Sequence, residues 1–110
     1  MTFGQAIAIC FMRYADFNGR ATRPEYWWFV LFLVIAVAIG YSISEVMGGV
    51  VHLALLLPSL SVGARRLHDT NRSGWMLLIG LVPLVGFIIL IVMLCQPAVE
   101  PNRFGEASTQ

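Results

Sequence analysis

Three long uncharged stretches set the pattern of this chain. The first reads "YWWFVLFLVIAVAIGYSIS" over 26–44, the second "VMGGVVHLALLLPSLSVGA" over 46–64, and the third fills 73–99 around "WMLLIGLVPLVGFIILIVMLC". A helix needs roughly 20 apolar residues to cross the hydrocarbon core of a bilayer. The third run meets that length easily. The first does so with Tyr26, Trp27 and Trp28 at headgroup level, where amphipathic rings are at home. The second is interrupted by His52, Pro58, Ser59 and Ser61 and opens on Gly48-Gly49. Ahead of them, Phe3, Ile7, Phe11 and Tyr14 recur at helical spacing in a segment too short to span. Such a segment reads as an amphipathic helix lying along the interface.

The pattern therefore predicts a single all-α membrane domain over 1–110, a small multi-pass transmembrane helical bundle. Its expected parts are an interfacial helix over 2–17, membrane helices over 23–45, 47–65 and 73–96, and a polar tail over 97–110. Local signals agree. Asn18-Gly19 marks a turn. Thr22-Arg23-Pro24-Glu25 reads as a capping box with proline in the first helical turn, Glu25 reaching back to the Thr22 N–H. Pro83 and Gly86 divide the third run near its middle. The preferred reading is one kinked span, since proline removes a backbone bond and bends a helix. The alternative is a re-entrant hairpin that returns the tail to its starting side. Ala36, Gly40 and Ser44, each four apart, form a small-residue stripe that lets helices approach closely, and Ser59 and Gly63 repeat the spacing. His52 is read as a structural hydrogen-bonding group rather than a proton relay.

Composition sharpens the membrane reading. The chain is 58% hydrophobic and 12% charged over 110 residues, about half the charge of an average soluble domain. Mean hydropathy is +0.78. A soluble chain this short has too little interior for so many apolar side chains. The net charge of +1 gives no footprint for nucleic acid. Cys10 and Cys95 lie far apart in apolar settings and form no CxxC, so they read as free thiols. The start "MTFGQ" lacks the positive region of a secretory signal.

All seven cations are arginine, and six precede residue 73 in two clusters: Arg13, Arg20 and Arg23, then Arg65, Arg66 and Arg72. The connection between the first two runs carries none. The positive-inside rule then puts the N-terminus and the 65–72 segment in the cytoplasm. "RRLHDTNRSGW" reads as a tight turn there, with Asp69 capping or pairing with an arginine, Asn71 in a left-handed conformation, Ser73 capping the next helix and Trp75 anchoring it. A metal site at His68 and Asp69 would need further ligands, and none stands at zinc-like spacing. The same pair has no visible nucleophile for acid–base catalysis.

The pieces "GRATRPEYWW", "PSLSVGARRLHDTNRSGW", "LVPLVG" and "NRFG" resemble, in order and over most of the chain, the small bacterial inner-membrane proteins of domain-of-unknown-function family 805. The resemblance implies a multi-pass inner-membrane protein and supplies no activity, cofactor or catalytic residue. Thr22 stands where serine is usual, Asn71 where glycine is usual, and Phe104 where tyrosine is usual.

The expected function is non-enzymatic and needs no cofactor. Arg20, Arg23, Arg65, Arg66 and Arg72, with His68 and Asp69, are expected to present a cytoplasmic surface to anionic lipid headgroups or to an acidic protein partner. A second copy of the chain or another membrane protein is a further expected partner. The alternative is a transporter or channel component formed by oligomerisation, with His52, Ser59 and Ser61 facing water.

Overall fold

A computed structural model describes residues 2–100, 102 and 104. It contains four α-helices and one 3₁₀ helix: α1 (Phe3–Met12), α2 (Arg23–Ile43), α3 (Glu45–Asp69), the 3₁₀ helix (Gly74–Leu81) and α4 (Val85–Cys95). The described part has principal extents of 46 × 32 × 20 Å.

Helices α2 and α3 form an antiparallel hairpin, and both are long and apolar enough to cross a membrane. Their 21 and 25 residues correspond to roughly 32 and 37 Å at 1.5 Å per residue. The hairpin turns on one residue. Ser44 ends α2 in extended geometry, and its hydroxyl accepts from the Met47 N–H at 3.0 Å to start α3. A turn this short forces the helices together. A Cβ on Gly40 would stand 3.0 Å from the Gly48 Cα, so this member of the expected small-residue stripe is a true point of contact. Ser44 serves as a cap instead. Outward-facing side chains are apolar: Val34, Ile39 and Leu53 are 59%, 57% and 73% exposed. That is the wrong surface for water and the right one for lipid.

Helix α1 starts with a capping box that the sequence reading did not include: Thr2 accepts from the Gln5 N–H, and the Gln5 side chain accepts from the Thr2 N–H. The helix is shorter than the expected 2–17 and lies against the first half of α2. Ala6 and Cys10, one turn apart, are fully buried. Phe3 meets Trp28 edge-on at 5.7 Å, and Phe11 meets Phe32 edge-on at the same distance. Aromatic periodicity on α1 thus marks a face shared between α2 and the surroundings.

Two expectations are corrected. The second membrane helix does not stop at 65, because α3 continues through Asp69 and carries "RRLHD" as its last helical turns. It ends in a Schellman motif: the Arg72 N–H bonds the Leu67 carbonyl and the Asn71 N–H the His68 carbonyl, both at 2.9 Å. Asn71 takes the left-handed position at φ 60°, as its turn chemistry suggested.

The second correction concerns 73–96. In place of one kinked span there are two short arms folded back on each other. The 3₁₀ arm of 8 residues and the α4 arm of 11 residues are each roughly 16 Å long, about half a hydrocarbon core. Between them, the Val85 N–H bonds the Pro83 carbonyl at 2.7 Å across Leu84, which sits at φ 62° and ψ −68°. This is a γ-turn of the rare, strained positive-φ kind. Gly86 is required just beyond it, since a Cβ there would collide with the Ile79 carbonyl and Val82. Proline ends the first arm as its chemistry demands. The chain then reverses instead of kinking, because glycine admits the returning backbone.

Candidate functional site

The return brings the end of α4 to the arginine end of the hairpin. Every α-helix leaves its last carbonyls without internal partners. At α4 they are met by arginines: Arg66 Nε donates to the Leu94 carbonyl at 2.9 Å, Arg66 Nη2 to the Gln96 carbonyl, and Arg23 Nη1 to the Cys95 carbonyl at 3.5 Å. Cations at a helix C-terminus also oppose its negative dipole end. Arg66 reaches two more acceptors, Asp69 Oδ2 at 2.6 Å and the Ala21 carbonyl at 3.3 Å. One guanidinium thereby ties together the lead into α2, the end of α3 and the end of α4.

Asp69 joins the two neighbouring arginines. Its Oδ1 accepts from Arg20 Nε at 2.8 Å, and Arg20 Nη1 pairs with Glu100 at 2.6 Å. The tail is fastened beside them. The Val99 N–H bonds the Asp69 carbonyl at 2.9 Å, and Asn102 Nδ2 bonds the His68 carbonyl at 2.7 Å. Of the "NRFG" piece, Asn102 and Phe104 are described, whereas Arg103 and Gly105 lie outside the described residues along with 101 and 106–110 of the expected tail.

Deeper in, Glu25 pairs with Arg65, and both side chains are wholly buried. The expected capping box is therefore half made. The Thr22 hydroxyl accepts from the Glu25 N–H at 3.4 Å, while the Glu25 carboxylate turns inward to Arg65. An arginine on α3 outcompetes a local N–H for a buried carboxylate, because an unpaired buried charge is far costlier than a missing cap. Among the described residues Glu25 Oε1 and Arg65 Nε and Nη2 have no hydrogen-bond partner, so the pair acts as a register pin more than as a source of stability. Cys10 lies against it, its sulfur 4.0 Å from the Glu25 carbonyl. Burial, with the nearby Glu25 charge adding to it, pushes the Cys10 thiol up to about 12, which keeps it protonated and inert.

The seven residues singled out from the sequence do converge at one end, but not as an open surface. Arg20, Arg65 and Arg66 are 2%, 0% and 0% exposed. The expectation that they stand outward is corrected: carboxylates and helix-end carbonyls draw them in. Asp69 is buried between Arg20 and Arg66. Arg23 is exposed and Arg72 half-buried. His68 is buried, with Nδ1 2.8 Å from the Gly19 carbonyl and its ring stacked on Phe104 at 4.0 Å and 4°. Sequence reasoning missed Glu25 as an ion-pair partner, along with the roles of Gly19, Leu94, Gln96 and Glu100. The available signal was numerical: arginines outnumbered every visible use for them in the loops. His52 is exposed on α3, away from this cluster. Among the described residues no three His, Cys, Asp or Glu side chains are grouped to hold a metal.

Comparison with known proteins matches residues 14–106 to the family model described as protein of unknown function (DUF805). Inner membrane protein YhaH of Escherichia coli K12 is 36% identical over 104 residues, covering 84% of this chain and 86% of the relative. Inner membrane protein YhaI of the same strain is 40% identical over 100 residues, covering 84% and 85%. The uncharacterized protein YiiR of that strain is 34% identical over 80 residues, covering 59% of this chain and 55% of its own length. No solved structure matches.

Proposed function

The chain belongs to the DUF805 family of inner-membrane proteins, and from that premise we propose that it is a non-catalytic membrane unit. Its arginine end rests on the cytoplasmic leaflet and holds anionic lipid headgroups there through Arg23 and Arg72. The observation that carries this reading is the convergence of both arginine-bearing segments on one end of the hairpin, with Arg23 exposed there. That asymmetry is what the positive-inside rule responds to. Trp28 at 37% and Trp75 at 80% exposure stand near the same end, the level at which aromatic belts form. Arg20, Arg65 and Arg66 act in this account as internal ties, with His68 and Asp69 beside them. Each outward arginine near an anionic leaflet contributes about 1 kcal/mol. The folded-back third run returns the tail to the cytoplasmic side as well.

The test is lipid retention. Native mass spectrometry of the purified protein should show less bound phosphatidylglycerol and cardiolipin in an Arg23→Gln, Arg72→Gln variant than in the wild type. Unchanged retention would remove the headgroup role. Loss of a co-purifying acidic protein instead of lipid would transfer that role to a protein partner.

A further inference from the structure

A cleft of about 630 Å³ lies between the last turns of α3 and the start of the 3₁₀ helix. Leu60 and Ala64 line it from α3, and Leu77 and Leu78 from the 3₁₀ helix. Its volume falls within the roughly 300–1,000 Å³ of small-molecule sites. His68 lines the same cleft at the charged end of the molecule and is 9% exposed.

The chemistry of that imidazole is fixed by its surroundings. A carbonyl can only accept, so Nδ1, 2.8 Å from the Gly19 oxygen, carries the hydrogen. The other nitrogen, Nε2, offers a lone pair when the ring is neutral and an N–H when it is charged. Nε2 lies 3.5 Å from where a Cβ on Gly74 would stand. Gly74 lets this stretch pass close to α3, since a Cβ there would also stand 3.0 Å from the Ala64 Cβ, and no described residue hydrogen-bonds Nε2. Stacking on Phe104 holds the ring plane. One end of the cleft therefore presents a directed imidazole nitrogen near Ser73, and most of the remaining lining is apolar.

We propose that this cleft binds one membrane amphiphile. Its hydrocarbon tail lies along Leu60, Leu77 and Leu78, and an oxygen of its head bonds His68 Nε2. The gradient inside the cleft runs the same way as the bilayer's, with His68 at the arginine end and Leu78, 56% exposed, at the open apolar side. A soluble polar metabolite would find nothing to bind along the leucines. A plain hydrocarbon would leave that nitrogen without a bond. A fatty acid and a phospholipid share the required chemistry. The inference rests on the membrane setting alone and not on the Arg23 and Arg72 contacts.

The experiment uses the full chain in nanodiscs with two probes carrying the same chain-terminal diazirine, palmitic acid and phosphatidylglycerol. Crosslinks are mapped by mass spectrometry. Labelling is expected to concentrate at Leu60, Leu77 and Leu78 over the outward-facing Val34 and Leu53. Leu78→Trp fills the cleft from an exposed position and should abolish the cleft labelling while leaving Val34 and Leu53 unchanged. His68→Gln should weaken competition by unlabelled palmitic acid but not by hexadecane. Labelling by the acid alone identifies a single-chain ligand, and labelling by the phospholipid alone a two-chain one; either supports the site. Even labelling of all lipid-facing residues, insensitive to Leu78→Trp, would overturn it. Arg23→Gln with Arg72→Gln should leave cleft labelling intact, so failure of the headgroup contact and failure of the cleft are distinguishable.

Discussion

Arg66 and Arg65 are neighbours in sequence with different work to do. Arg66 satisfies backbone carbonyls that a helix end cannot satisfy itself. Arg65 faces one carboxylate in a setting with no water-exposed side. For such a pair, removing one partner leaves a buried charge alone and costs about 3–5 kcal/mol, whereas replacing both with apolar groups of similar volume is nearly neutral. Glu25→Gln should therefore destabilise the protein by about that amount in a denaturation assay in mild detergent, and Glu25→Leu combined with Arg65→Met should recover most of it. A double variant as unstable as the single one would mean that Glu25 acts chiefly through the α2 terminus. From the sequence, Glu25 read as a cap because Thr-x-x-Glu is a local pattern. Its real partner lies forty positions away, and no local pattern reports on that distance.

Two kinds of element emerge, and the sequence disclosed them unequally. Helices α2 and α3 were legible because their length and uniform apolarity match one physical scale, the thickness of a bilayer. The third run matched that scale too, and there the inference from length failed. What decides its path is a pair of backbone features at 84–86 whose effect depends on tertiary fit. Leu84 is held at φ 62° with its side chain 72% exposed, so little packing compensates the strain. Leu84→Gly should stabilise the fold by on the order of 1 kcal/mol, since relief of positive-φ strain exceeds the extra chain entropy of glycine. Gly86→Val should do the reverse by driving a side chain into the Ile79 carbonyl. Thermal unfolding in detergent reads both. A destabilised Leu84→Gly would show that the leucine side chain, and not the turn, matters there.

The molecule as a whole is thick at one end and thin at the other. Helix α1, both short arms and the tail gather where the arginines are, while the opposite end consists of the α2–α3 turn alone among the described residues. The sequence showed that charges collect at one end, through arginine counts, but not that they lie inside it, because burial of a guanidinium depends on carbonyls delivered by a returning chain. The return of the chain at 84–86 decides where the end of α4 lies. It is measured most directly by pulsed electron–electron double resonance between spin labels at Cys95 and at Val46→Cys in a Cys10→Ala background. Position 46 is on the far turn of the hairpin and 78% exposed, and Cys95 sits beside Arg66, twenty residues along α3. A separation of about 30 Å is expected. A separation under about 15 Å, as one span crossing to the far end would give, would contradict it.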